Sequence, residues 1–253
     1  ENLRFTKGEE KNNVSFARQL AGLGDIYIND AFSVSHRTHA SLTRLPRLLP
    51  SYAGIQFEKE LINLNRILHA QKKPFVIILG GAKASDKIPV IQHFLSRATT
   101  FLLAGVPANT FLKAKGLDIG KSIVEKPMMA SAKKLLKSEK IILPLDFVVH
   151  EDQILDIGSM SVELFSSYIK KAKTIVWNGP PGIFEDRRFV MGSEEIARAV
   201  ARAKGFSIVG GGETALLVKK LNLQNRFDFL STGGGAMLEY LAGKKLPGIQ
   251  ALR

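Results

Sequence analysis

Six short apolar runs constrain this chain more than any other feature: Phe75–Leu79, Thr100–Leu103, Ile141–Leu143, Thr174–Trp177, Phe206–Val209 and Phe229–Ser231. Each ends in glycine or a turn and is followed by a helix-like stretch. That alternation is the pattern of an α/β fold built on a parallel sheet. Continuous apolar character, as in Val76-Ile77-Ile78-Leu79, is what a strand covered by helices on both faces requires. No long-period repeat is present.

Upstream of these runs the organisation changes. Residues 1–52 offer one strand candidate, Asp25–Asn29, and one helix candidate, Val14–Leu23, too little for an independent core. Pro46 and Pro50 punctuate a loop-like segment, and from Ile55 to Leu68 the apolar spacing near 3.6 predicts a helix. The expected division is therefore a remnant domain over 1–52, a connecting helix over 53–70, a main α/β domain over 71–240, and a tail over 241–253 that returns toward the remnant. The chain opens on Glu1-Asn2-Leu3-Arg4-Phe5, not on methionine and with no lead-in, so further sequence is expected upstream.

With 253 residues and 45% apolar side chains the chain can bury a sizeable core. It has no cysteine, which excludes disulfides and thiolate metal sites and fits a reducing compartment such as the cytoplasm. No apolar run reaches the roughly 18 residues that span a bilayer, and no signal-peptide layout opens the chain. The net charge of +13 attracts anions without choosing among them. One Trp and four Tyr leave no aromatic-rich basic cluster of the kind that binds nucleic acid.

Glycine clusters follow four of the proposed strands: Gly80-Gly81, Gly179 with Gly182, Gly210-Gly211-Gly212 and Gly233-Gly234-Gly235. In an open parallel sheet such loops converge at the carboxyl ends of the strands, where ligands bind. Glycine lets backbone N–H groups approach a phosphate, and a following helix N-terminus adds partial positive charge. Lys83 and Lys87 stand four apart, and a helix starting near Ala82 would project both from one face at its positive end. Cations there oppose the helix dipole, so a bound polyanion is the simplest compensation.

Other motifs fit less well. Gly210-Gly211-Gly212-Glu213-Thr214-Ala215 satisfies the dinucleotide fingerprint, which keeps an NAD(P)-dependent dehydrogenase as the alternative, yet Asp228 begins the next strand instead of closing it. Gly116–Ser122 is one residue short of a P-loop and follows no strand. There is no H-E-x-x-H zinc motif and no G-x-S-x-G elbow. His36 and His39, flanking Arg37, read as structural histidines.

Longer ordered blocks carry a family resemblance. Glu1-Asn2-Leu3-Arg4-Phe5 with Gly8-Glu9-Glu10-Lys11-Asn12, Asn29-Asp30-Ala31-Phe32 with His36-Arg37-Thr38-His39-Ala40-Ser41, Leu79-Gly80-Gly81-Ala82-Lys83 with Ser85-Asp86-Lys87-Ile88, Trp177-Asn178-Gly179-Pro180 with Gly182-Ile183-Phe184-Glu185, Val209–Gly212 and Ser231–Ala236 together resemble phosphoglycerate kinase. The resemblance runs from Glu1 to Leu252. It implies a Rossmann-like nucleotide domain plus part of a second α/β domain. It also implies a cytoplasmic, monomeric enzyme that moves a phosphoryl group between 1,3-bisphosphoglycerate and ADP, giving 3-phosphoglycerate and ATP with Mg²⁺, and that needs neither nucleic acid nor membrane.

By the same resemblance, Arg4 and Arg37 grip the phosphoglycerate, and Lys83, Lys87 and the Gly233, Gly234 and Gly235 amides serve the group in flight. Gly80, Gly81, Gly105, Leu112, Asn178, Pro180, Ile183, Glu185, Gly211, Gly212, Glu213 and Thr214 join both lysines in holding the nucleotide, Glu185 at the ribose and Glu213 at the metal. Three positions depart from the family pattern: Glu213 stands for a usual aspartate, Ala104-Gly105-Val106-Pro107 for a run of glycines against the base, and Ser33 for a glycine. The family's first strand, its catalytic arginine and a basic loop would lie upstream of Glu1, so this segment alone is expected to bind nucleotide weakly and to show negligible turnover.

Overall fold

The computed structural model describes residues 1–252. The chain divides into two compact units: residues 1–66 together with the chain from Thr232 onward, and Ile67–Ser231. The return to the first unit thus falls at Thr232, earlier than the boundary at 240 expected from sequence.

In the first unit the helix Val14–Ala21 starts where Asn13 Oδ1 accepts the Phe16 amide at 3.1 Å, a side-chain cap for one of the orphan donors of a helix start. Two short strands, β1 (Tyr27–Asn29) and β2 (Ser51–Ala53), pair in parallel. β2 directly follows Pro50, in the loop-like stretch that Pro46 and Pro50 punctuate, and was missed because three residues are too few to show a period. The core here is aromatic: Phe32 meets Phe57 edge to face at 5.5 Å and Tyr240 at 6.2 Å.

A longer helix, Ile55–His69, leads on from β2. On it Glu60 is fully buried and accepts both the amide (2.6 Å) and the hydroxyl (2.8 Å) of Thr232. That pair fixes the start of the Gly233–Gly235 loop within the same unit.

The second unit is built on a six-stranded, all-parallel sheet of β3 (Phe75–Leu79), β4 (Thr100–Leu103), β5 (Ile141–Ile142), β8 (Thr174–Asn178), β9 (Phe206–Gly210) and β10 (Phe229–Ser231). Their spatial order is β10-β9-β8-β3-β4-β5. The chain runs outward from β3 to β4 and β5, then returns to place β8 on the other side of β3. This reversal is the switch point at which doubly wound sheets bind ligands, outside the carboxyl ends of the strands. The four inner strands β3, β4, β8 and β9 are buried almost throughout, as their continuous apolar runs require. Trp177 and Phe165 lie wholly inside one helix-covered face.

A hairpin of β6 (Phe147–His150) and β7 (Gln153–Ile157) stands apart from the main sheet. Sequence reading missed it because Pro144 and Asp146 break the run before β6 and the turn carries no glycine. Glu151 and Asp152 make that turn with positive φ angles of 48° and 65°, the geometry of a tight two-residue connection.

Candidate functional site

At the switch point the carboxyl ends of β3 and β8 meet backbone to backbone. The Gly80 amide donates to the Asn178 carbonyl at 3.0 Å and the Gly81 amide to the Pro180 carbonyl at 2.9 Å. A Cβ on Gly80 would sit 2.4 Å from the Pro180 oxygen, and one on Gly179 would sit 2.3 Å from the Gly80 oxygen. Glycine is required here so that the two loops can touch. The Gly179 amide is likewise spent, on Thr214 Oγ1 at 2.8 Å. The expectation that these glycine amides face a phosphate therefore gives way to a packing role.

The free donors lie one strand further on. After β9 the chain enters the helix Gly212–Lys220 directly through Gly211, at φ 99°. The amides of Gly212, Glu213 and Thr214 make no hydrogen bond among the described residues, as the first turn of a helix dictates. A Cβ on Gly212 would meet nothing within 4 Å. Open space and unpaired N–H groups coincide at this one edge of the crevice, where a helix dipole also favours negative charge.

Lys83 and Lys87 do not share a helix face. Residues 82–87 form a non-helical turn and the helix starts only at Ile88, with Lys87 as its N-cap residue; Pro89 in its first turn suits a helix that begins here and not earlier. Lys83 is exposed, whereas Lys87 is 7% exposed and donates from Nζ to Asn178 Oδ1. Burial pushes the Lys87 ammonium down to about 8, against the opposing pull of Asp86 and Glu213. A buried ammonium with a carbonyl-type partner and no ion pair among the described residues is short of negative charge. Asn178 keeps its other amide atom, Nδ2, buried without a partner.

Beside this edge lies a cavity of about 200 Å³ whose lining is mostly apolar. Of the expected nucleotide contacts, Gly81, Gly105, Pro180, Ile183, Glu185 and Glu213 line it. Leu112 does not: it is buried on the helix Gly105–Ala114 and lines a different pocket with Leu117 and Ile119. Val106, where the family pattern has glycine, puts an isopropyl group into the wall.

Several lining residues escaped sequence reading. Asn109, Ile123, Phe147 and Phe184 contribute wall, and Asp156 contributes the one nearly inaccessible carboxylate, 1% exposed. Burial pushes Asp156 up to about 6, although the Gly192 amide (2.7 Å) and the Ile157 amide (2.8 Å) both donate to it. Its signal in the sequence was a single acid inside the apolar stretch Ile154-Leu155-Asp156-Ile157.

In the first unit Arg4 and Arg37 are exposed; the Arg4 amide donates to Asn2 Oδ1 at 3.0 Å, but neither guanidinium makes a hydrogen bond to another side chain or an ion pair among the described residues. Gly233–Gly235 packs against the 3₁₀ turn Phe32–Val34: a Cβ on Gly233 would lie 2.8 Å from the Phe32 ring, and one on Gly235 3.7 Å from His36 Nε2. His36 is held below the usual imidazole range, first by desolvation and then by Arg37 and His39, against Glu239.

The dehydrogenase alternative fails at Asp228. Its carboxylate accepts the amide (2.8 Å) and hydroxyl (3.1 Å) of Ser207, near the amino end of β9. It therefore faces the edge of the sheet opposite the glycine loops and cannot hold a ribose there.

Geometry and comparison agree on the class of protein: a doubly wound α/β nucleotide-binding fold with lysines and a free helix start at its switch point. The family model of phosphoglycerate kinase matches residues 1–244. The phosphoglycerate kinase of Thermomicrobium roseum is 44% identical over 276 aligned positions, which cover all of this chain and 70% of that enzyme, and that of Finegoldia magna is 42% identical with the same coverage. Among solved structures, the enzyme from Pyrococcus horikoshii superposes with a TM-score of 0.90 at 32% identity, covering 99% of this chain and 71% of its own. That from Coxiella burnetii gives 0.86 at 36% identity, with the same coverage. The chain belongs to the phosphoglycerate kinase family. Enzymes of this family transfer a phosphoryl group to or from a carboxyl group and use ADP/ATP with the phosphoglycerates.

Proposed function

We propose that this chain binds ADP or ATP at the switch point of its six-stranded sheet, with the base and ribose in the apolar cavity and the phosphates over the start of the helix Gly212–Lys220. The observation that carries this reading is the coincidence of free Gly212–Thr214 amides, open space above Gly212 and the buried Lys87 ammonium. Each is unfavourable or idle alone, and a polyphosphate satisfies all of them. Glu185, at the cavity mouth beside Ile183, suits the ribose hydroxyls. Gly80, Gly81 and Pro180 support the site as packing.

Glu213 suits Mg²⁺. No cluster of three or more metal-ligating side chains occurs among the described residues, and Mg²⁺ characteristically uses one or two carboxylates, water and the substrate's own phosphates. When bound it would neutralise charge on the phosphates. We assign Lys83, exposed on its turn, to the moving phosphoryl group and the buried Lys87 to the same group from within. We assign Arg4 and Arg37 to the phosphoglycerate because an unpaired guanidinium fork matches carboxylate and phosphate oxygens. The Gly233–Gly235 loop is assigned to the transferring group.

We further assign the protein to the cytoplasm as a monomer that works without nucleic acid or membrane. Supporting this, no helix among the described residues is long and apolar enough to cross a membrane, and no cysteine is present. Calorimetric titration with MgADP and with NADH tests the central reading: MgADP should bind and be weakened by excess inorganic tripolyphosphate. Binding of NADH with indifference to MgADP would refute it.

A further inference from the structure

The turn that carries the phosphate lysines, residues 82–87, has no helix or strand to shape it. Inside the turn, the amides of Lys87 and Ile88 both donate to the Ala84 carbonyl. Two side-chain tethers reach it from elsewhere in the unit. One is the Lys87–Asn178 bond already described. The other is Glu125, forty residues along the chain, whose Oε2 accepts the Ser85 amide at 2.5 Å and whose Oε1 accepts the Ser85 hydroxyl at 3.0 Å.

Glu125 is itself held. Its amide donates to Thr110 Oγ1 at 3.2 Å, and that hydroxyl, fully buried, donates to the Val106 carbonyl at 2.8 Å. The Val106 amide in turn donates to the Gly81 carbonyl at 3.0 Å, one residue before the turn begins. The hydrogen bonds therefore close a ring: Gly81, Val106, Thr110, Glu125, Ser85, and back along the chain to Gly81. Gly81 and Val106 line the apolar cavity. The ring joins the wall of the base site to the turn that presents Lys83 and Lys87.

A carboxylate near a polyanion site repels the ligand unless its charge is spent. Glu125 makes no ion pair among the described residues, and its two oxygens are taken by the two donors of one serine. Charge-assisted bonds of this bidentate kind fix geometry as well as adding strength. We propose that Glu125 is a positioning residue: by clamping Ser85 it holds the 82–87 turn in the shape that aims Lys83 and Lys87 at the nucleotide phosphates.

The proposal rests on the nucleotide-binding reading, so its test has one arm without ligand. In the unliganded protein, hydrogen exchange at the amides of residues 82–87 should quicken about tenfold in Glu125→Ala while exchange in β4 and β9 stays as it was. The Lys87 ammonium, followed by NMR, should move back up from about 8 as the turn opens. Unchanged exchange and an unmoved Lys87 would overturn the clamp. In the liganded arm, ADP affinity should fall about tenfold in Glu125→Ala and about threefold in Glu125→Gln, which keeps an acceptor, while adenosine affinity holds within about twofold. Equal loss of ADP and adenosine would show a general structural role and sink the positioning claim. If the unmodified protein failed to bind ADP yet Glu125→Ala still loosened the turn, the nucleotide reading would fall and the clamp would stand. Should Glu125→Ala not fold, Ser85→Ala, which removes only the hydroxyl bond, carries both arms with smaller shifts in the same direction.

Discussion

Two glycine loops leave adjacent regions of the same sheet edge and do opposite things. The loop after β3 spends its Gly80 and Gly81 amides on the end of β8 and the loop beyond it, needs glycine for contact, and delivers its chemistry through a clamped turn by Lys83 and Lys87, four and eight residues past the strand's end. The loop after β9 goes straight into a helix, spends none of its first-turn amides, and leaves empty space where a side chain would be. Identical residues thus serve packing in one loop and leave their N–H groups unpaired in the other. What separates them is whether a neighbouring strand lies close enough to take the N–H groups.

The sharpest way to break this contrast is Gly179→Ala. With φ at 91° and a Cβ forced to 2.3 Å from the Gly80 oxygen, the variant should lose about 3 kcal/mol or more of stability in urea unfolding. Gly212→Ala, with open space around it, should remain within about 1 kcal/mol of the parent while losing ADP affinity. Equal destabilisation of the two would erase the distinction.

Next in size is Lys87→Met. A desolvated ammonium is replaced by an apolar chain of similar length, so the fold should hold at neutral pH, and ADP binding should weaken about tenfold or more. The parent's ADP affinity should also decline as pH rises through about 8, where unliganded Lys87 loses its proton. Stability moves the other way. The unfolded chain keeps that proton to higher pH, so above about 8 the unfolded state binds more protons and the burial cost is relieved as pH rises. ADP titrations and urea midpoints between pH 7 and 10 read both trends, and Lys87→Met should flatten them.

The smallest effect is expected at Asp156. Its folded value, raised to about 6, lies above that of an unfolded aspartate, so its contribution is full at low pH and is lost as pH rises through about 6. Asp156→Asn should flatten the urea midpoint between pH 4 and 6 and leave adenosine binding nearly unchanged. A loss of adenosine affinity would instead make Asp156 a contact of the base.

Much of the sheet was legible because burial on both faces writes itself as continuous apolar runs, and the runs at β3, β4 and β10 end where the strands do. The β6–β7 hairpin was not, since half-exposed strands preceded by Pro144 and Asp146 write no such run. At the site, Lys83, Lys87 and Glu213 stood out by type and place. The shape of the 82–87 turn did not, because it depends on Glu125, a partner that only the folded chain brings near. The same holds for Asn178, whose tie to Lys87 spans ninety-one residues.

That span has a consequence for how the protein is made. β3 lies against β4 within a short stretch of chain, but its other neighbour, β8, pairs Phe75 with Thr174. A ribosome must therefore release nearly a hundred further residues before the crevice acquires its second wall, and the free helix start after β9 comes later still. Closing so distant a pair delays folding. Nascent chains arrested before β8 should bury β3 and β4 yet gain no protection from ADP, and that protection should emerge abruptly once the helix Gly212–Lys220 has cleared the exit tunnel.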